Sequence, residues 1–252
     1  MSAGIGHWLG RYLEADQPEV QPFVALDFAA LAETIRVGDV LLVEGRARIS
    51  TAIKYLTQST WSHAALCVAD TTQRAKPELV EVTLQAGCHR LPLEQYTGYN
   101  LRLCRPASLS DDERMAVARY MVDRIGLQYD LRNIIDLARY LFPTPPVPVR
   151  WRRRMLSLGS GDPTRAICSS LIAQAFGAVR YPILPEIRMV QPSGPGRRRP
   201  RLEWFARDHT LVVPRDFDLS PYFAVVKPTI TRGFDHRRIP WGEGAVQAER
   251  LG

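Results

Sequence analysis

The 252-residue sequence has no apolar run near the roughly 18 to 20 residues that a membrane-spanning helix needs. A transmembrane segment is therefore not expected. Residues 1–10 lack a basic region followed by a long apolar stretch, so no signal peptide is read there. The four cysteines, Cys67, Cys88, Cys104 and Cys168, show no CxxC or CxxxC spacing, which argues against a structural zinc or a thioredoxin-like redox pair. No metal and no cofactor are expected, and a cytoplasmic chain with reduced thiols is the default. There is no internal repeat and no recognised nucleic-acid motif, so no specific nucleic-acid partner is expected.

What is present is enough apolar sequence, 46% of residues, to bury one substantial core. The net charge of +7 is concentrated in two clusters. Arg150, Arg152, Arg153 and Arg154 follow a proline-rich stretch, and Arg197, Arg198, Arg199 and Arg201 lie in another. Such clusters are commonly solvated loops. The competing reading is contact with an anionic surface, which would make the protein membrane-peripheral, or, in another class of function, a non-catalytic basic module that binds anionic membrane or nucleic acid.

The pattern along the chain mixes helical and strand-like stretches. Residues 1–35 form a helical N-terminal extension, 36–228 the main domain with insertions near 143–165 and 182–201, and 229–252 a tail. Val40–Val43, Ala64–Ala69, Leu79–Thr83 and Leu101–Cys104 read as strands, the second and third as a hairpin-like pair. A helix spans Ile49 to Leu56. Ser110 and Glu113 match a capping box for another, running through Ile125 to Gly126. Residues 131–140 and the run from Cys168 to Val179 read as further helices. Residues 182–200 read as a loop, and Leu211–Val213 and Phe223–Val226 as closing strands.

Cys168 opens an amphipathic run shortly after Pro163-Thr164. A thiol at a helix N-terminus meets backbone N–H groups and the positive end of the helix dipole, which favour the thiolate. The same N–H groups can hold an oxyanion. A free cysteine also packs well as a small hydrophobe, so position alone does not decide. His63, at a strand start after a polar turn, is the candidate base. His7 and His236 lie near the termini, and His89 and His209 sit near turns with no obvious partner. Glu81 interrupts the apolar sequence Leu79-Val80-Glu81-Val82 and is the natural group to orient His63. Side chains alternate along strands, so His63 and Glu81 share a face only in a register that sets, for example, Ala65 opposite Glu81. A register shifted by one residue would separate them.

Gly38-Asp39-Val40-Leu41, Thr57-Gln58-Ser59-Thr60-Trp61-Ser62-His63-Ala64, Leu79-Val80-Glu81 and Cys168-Ser169-Ser170-Leu171-Ile172 occur in that order. Together they resemble the circularly permuted papain-like cysteine hydrolases of the NlpC-type superfamily, in the YiiX-like group, whose histidine precedes the cysteine. The resemblance covers roughly 36–228. It implies an α+β fold with an antiparallel sheet or half-barrel packed against the helix that bears the cysteine. It further implies an amidase- or peptidase-like cysteine hydrolase in which Cys168 is the nucleophile, His63 the base and Glu81 the orienting group. Tyr129 matches a tyrosine near the family's active site. Ser62 and Trp61 beside His63, and Ser169 beside Cys168, are further substrate-binding candidates. The substrate implied is an amide or ester: a peptide, an N-acyl compound or a lipid. Acyl transfer or lipid ester cleavage, as in lecithin:retinol acyltransferase-like relatives, is the alternative within the same fold.

Overall fold

The computed structural model describes residues 27–127, 167–190 and 200–238, apart from the side chains of Arg48, Ala52, Ile167 and Cys168. The expected helix over 131–140, the insertion at 143–165 and most of the terminal extensions lie outside these residues.

A six-stranded antiparallel sheet organises the chain, in an α+β arrangement. Its strands are β1 (Val40–Val43), β2 (His63–Ala69), β3 (Glu78–Thr83), β4 (Gly87–Pro92), β5 (Leu101–Pro106) and β8 (Phe223–Val226). Their order across the sheet is β4-β3-β2-β1-β5-β8. The short β1 is buried at every position because both of its faces are covered, which explains its uninterrupted apolar sequence. The helices among the described residues are α1 (Phe28–Thr34), α2 (Arg48–Thr57), α3 (Asp111–Val122), α4 (Ile167–Ala178), α5 (Pro214–Leu219) and α6 (Pro228–Thr231).

The two-residue period of the strands divides the core into two clusters. On one face, Val40, Leu42, Ala64, Leu66, Val68, Val80 and Val82 pack with Val117, Ala118 and Met121 of α3 and Leu171, Ile172, Ala175 and Phe176 of α4. On the other, Leu41, Val43, Ala65, Cys67, Leu79, Leu91, Leu101 and Leu103 pack with Leu31 and Ile35 of α1 and with Leu93 and Tyr96 of the short 3-10 turn after β4.

The Gly38-Asp39 dipeptide has a structural task. Gly38 has φ +82°, and a Cβ there would lie 3.2 Å from Arg114 Cγ. Asp39, fully buried, accepts from Arg105 Nε at 2.9 Å and Nη2 at 2.6 Å, and from the Arg36 N–H at 3.0 Å. Burial raises the Asp39 pKa, against the opposing pull of Arg105, Arg36 and Arg114. The bonds join the entry to β1 with β5.

The capping box forms as expected: Ser110 Oγ accepts from Glu113 N–H at 3.3 Å, and Glu113 Oε2 accepts from Ser110 N–H at 2.9 Å. Three expectations need correction, and one strand was not foreseen. The helix from Ser110 stops at Val122 rather than Ile125; its last residues before Gly126, at φ +90°, are turns. Residues 182–200 are not all loop, because β6 (Glu186–Val190) pairs with β7 (Arg201–Phe205) in a separate two-stranded ribbon. The prolines and glycines that join these strands masked their alternation. Leu211–Val213 is not a strand: a 3-10 turn over His209–Leu211 leads into α5, whose first residue is Pro214. Strand β4 was missed because it mixes Gly, Cys, His, Arg and Pro, which individually disfavour a strand reading.

Candidate active site

The pairing of β2 with β3 sets Leu66 opposite Val80 and Cys67 opposite Leu79. One step further along that ladder Ala65 faces Glu81, the register required for His63 and Glu81 to share a face. They meet diagonally, His63 Nε2 lying 2.5 Å from Glu81 Oε2. Glu81 is buried and His63 partly so, at 8% and 21% side-chain exposure.

Glu81 has two further partners. His89, directly opposite it on β4, places Nε2 3.1 Å from Glu81 Oε1. The Tyr96 hydroxyl donates to Glu81 Oε2. His89 therefore has a partner that the sequence did not suggest, and its own Nδ1 lies 3.0 Å from the Gly87 carbonyl oxygen. A cross-strand position was invisible without β4, and Tyr96 reaches the carboxylate from a turn whose periodicity carries no signal. The Tyr96 ring also lies 6.4 Å from the His63 ring and 5.6 Å, edge-on, from Tyr99.

Burial by itself would push the Glu81 carboxyl up. The His63 charge and hydrogen bond, with the bonds from His89 and Tyr96, outweigh it and hold the carboxyl well below the usual carboxylate range. The bond to Glu81 raises the His89 pKa despite partial burial. A carboxylate fixed by three side chains presents one imidazole in a set orientation, the arrangement a general base needs. Glu81 engages Nε2, which leaves Nδ1 as the other ring nitrogen of His63. Among the described residues, no group of three or more His, Cys, Asp or Glu is arranged to hold a metal ion.

Cys168 lies in the first turn of α4. The body of this helix packs across β2 and β3, though on the face opposite to His63 and Glu81. The other three cysteines are buried. Burial pushes the Cys67 thiol well above its ordinary range, raises Cys88, and takes Cys104 up to about 12. None of these three is equipped to ionise near neutral pH.

The binding candidates around the site prove to be tightly engaged. Ser62 is buried, and its Oγ accepts from the Gly45 N–H at 2.9 Å, closing the turn before α2. Trp61 is buried and donates Nε1–H to Asp218 Oδ2 at 3.1 Å. Asp218 also accepts from Arg102 at 2.7 Å, and the Arg102 guanidinium sits 5.0 Å from the Trp61 ring centre. This trio ties α5 to the sheet. Ser169 is fully buried and donates to the Val212 carbonyl at 2.7 Å, fastening the first turn of α4. Tyr129 and the arginines Arg150, Arg152, Arg153, Arg154, Arg197, Arg198 and Arg199 lie outside the described residues.

No helix among the described residues is long and apolar enough to cross a membrane. No protein-family model matches the chain, and no curated protein does. Five chains of known structure match. One is the metalloprotein yiiX from Escherichia coli O157:H7, with a TM-score of 0.47 and 17% identity over 76% of this chain and 96% of that one. A likeness at that level is coarse and assigns no role to any side chain.

Proposed function

We propose that this chain is a cysteine-dependent hydrolase, amidase- or peptidase-like, with the permuted papain-like arrangement that its sequence resembles. The observation that carries the reading is the His63–Glu81 pair, a buried carboxylate that meets His63 Nε2 and is held by His89 and Tyr96. In this reading His63 Nδ1 takes the proton of the Cys168 thiol. The thiolate adds to the carbonyl carbon of an amide or ester, and His63 returns the proton to the leaving amine or alcohol. Water then cleaves the thioester, releasing the acid and restoring the thiol. Backbone N–H groups in the first turn of α4 stabilise the oxyanion. The reading requires the first turn of α4, where Cys168 lies, to meet His63 although the body of the helix packs on the opposite face.

The test is alkylation by iodoacetamide across pH. Cys168 should be the one rapidly modified cysteine at neutral pH, and Cys168→Ala should abolish that modification. His63→Asn should slow it about tenfold or more and restore the ordinary thiol profile near pH 8.5. A Cys168 rate unchanged by His63→Asn overturns the reading. Product analysis with an added amine or alcohol distinguishes hydrolysis from acyl transfer.

A further inference from the structure

The β6–β7 ribbon is excluded from the main sheet and has one apolar and one mainly charged face. Its ladder sets Ile187 opposite Trp204 and Met189 opposite Leu202. These four side chains form one face, wholly apolar, and are 53%, 58%, 65% and 62% exposed in the order Ile187, Trp204, Met189, Leu202. The other face carries Glu186, Arg188, Glu203 and Arg201 with Val190 and Phe205 at its ends; Arg188 pairs with Glu186 and lies over the Phe205 ring, and Arg201 pairs with Glu203. Isolated exposed apolar residues need no explanation, but four on one side of a two-stranded ribbon form a patch.

We propose that this ribbon is a membrane-docking element whose apolar face enters the headgroup–acyl boundary of an anionic bilayer. The internally paired charges keep the opposite face in water, the division that interfacial amphipathic segments use. The charge also points to a bilayer. The chain carries +7, and the sequence joining the two strands, residues 191–199, contributes Arg197, Arg198 and Arg199 with no acid. An anionic surface attracts that charge, whereas a second copy of the chain would set like charge against like. At the ribbon's base, Trp204 of the apolar face lines a cavity of about 360 Å³, together with Ile183, Leu184 and Tyr181 and with Arg180, Arg207 and His209. The apolar surface thus extends beyond the four residues. This inference does not depend on the thiol chemistry.

The experiment is co-sedimentation of the full chain with phosphatidylcholine vesicles, with and without phosphatidylglycerol. Binding is expected only to the anionic vesicles and should fall as salt rises. The Met189→Ser/Leu202→Ser double variant should lower the partition coefficient on the order of a hundredfold, with circular dichroism and Cys168 alkylation unchanged. If the double variant does not fold, Leu202→Ser alone is measured in the same way and should lose about tenfold. Undiminished binding by a folded variant overturns the proposal, as does failure of the unaltered chain to bind anionic vesicles. A dimer of the unaltered chain that the substitutions dissociate, without vesicle binding, overturns it in favour of self-association.

Discussion

Replacing Glu81 with Gln keeps the shape of the side chain and removes the charge on which three other side chains converge. In the folded protein its carboxyl is held well below the ordinary range, while in the unfolded chain it titrates near its usual value of about 4.3. A depressed folded-state pKa stabilises above the unfolded value and loses that contribution as pH falls toward the folded one. The carboxyl's own share of the stability gap between the unaltered protein and Glu81→Gln should therefore be level from pH 7 to 5. The raised pKa of His89 widens the gap as pH falls from 7 toward the unfolded imidazole value of about 6.5. Below about pH 4.3 it should shrink by about 1.4 kcal/mol per pH unit, because only the unfolded chain takes up the proton. At pH 7 the gap should be about 3–5 kcal/mol, the range for removing one member of a buried ion pair. Urea titrations of both proteins at pH 7, 5, 4 and 3 give the gap directly. A gap that stays level from pH 5 to 3 would refute the argument, since the carboxyl would then titrate alike in both states. Under the proposed function the same variant should also lose about 10²–10⁴ in turnover, as the imidazole loses its orientation.

Three further outcomes are expected. Asp39→Ala, which leaves Arg105 without its buried partner, should cost about 3–5 kcal/mol in urea unfolding without changing the pH dependence of Cys168 alkylation. Tyr96→Phe removes one donor to a charged acceptor, so it should cost about 1.5–3 kcal/mol by the same measurement. Phe176→Ala, in the ring cluster with Tyr181, Phe217 and Phe223, should cost about 3–5 kcal/mol and lower the melting temperature.

Much of the sheet was legible because each central strand announces itself by composition and length. Val40–Val43 reads as a doubly buried strand and is one, and Ser110 with Glu113 marks a helix start by local bonds alone. Elements whose stability comes from partners far along the chain were less legible. β4 contains residues that favour turns, yet Leu91 and Cys88 fill the two cores and the strand completes the ladder on β3. The helix after Ser110 ends before its apolar pattern does, since Ile125 turns outward and is 40% exposed. Apolar spacing marked the helix but could not mark its last turn.

The site divides along the same line. A carboxylate amid Leu79, Val80 and Val82 is costly to bury unless paired, so Glu81 was identifiable from its neighbours. A parity argument then sufficed to put His63 on its face. Parity could not supply His89 or Tyr96, which depend on one undetected strand and the turn after it. Yet those two residues change the chemistry. With His63 alone, Glu81 would be a simple orienting group, free to rotate about its last torsion. With His89 on one oxygen and Tyr96 on the other, the carboxylate plane is fixed, and so is the direction in which His63 presents Nδ1. The body of α4 packs on the other core face, so under the proposed function it is the first turn of that helix that has to meet the imidazole. Under that reading, rigidity at Glu81 matters more than in a site where the nucleophile and base share one face.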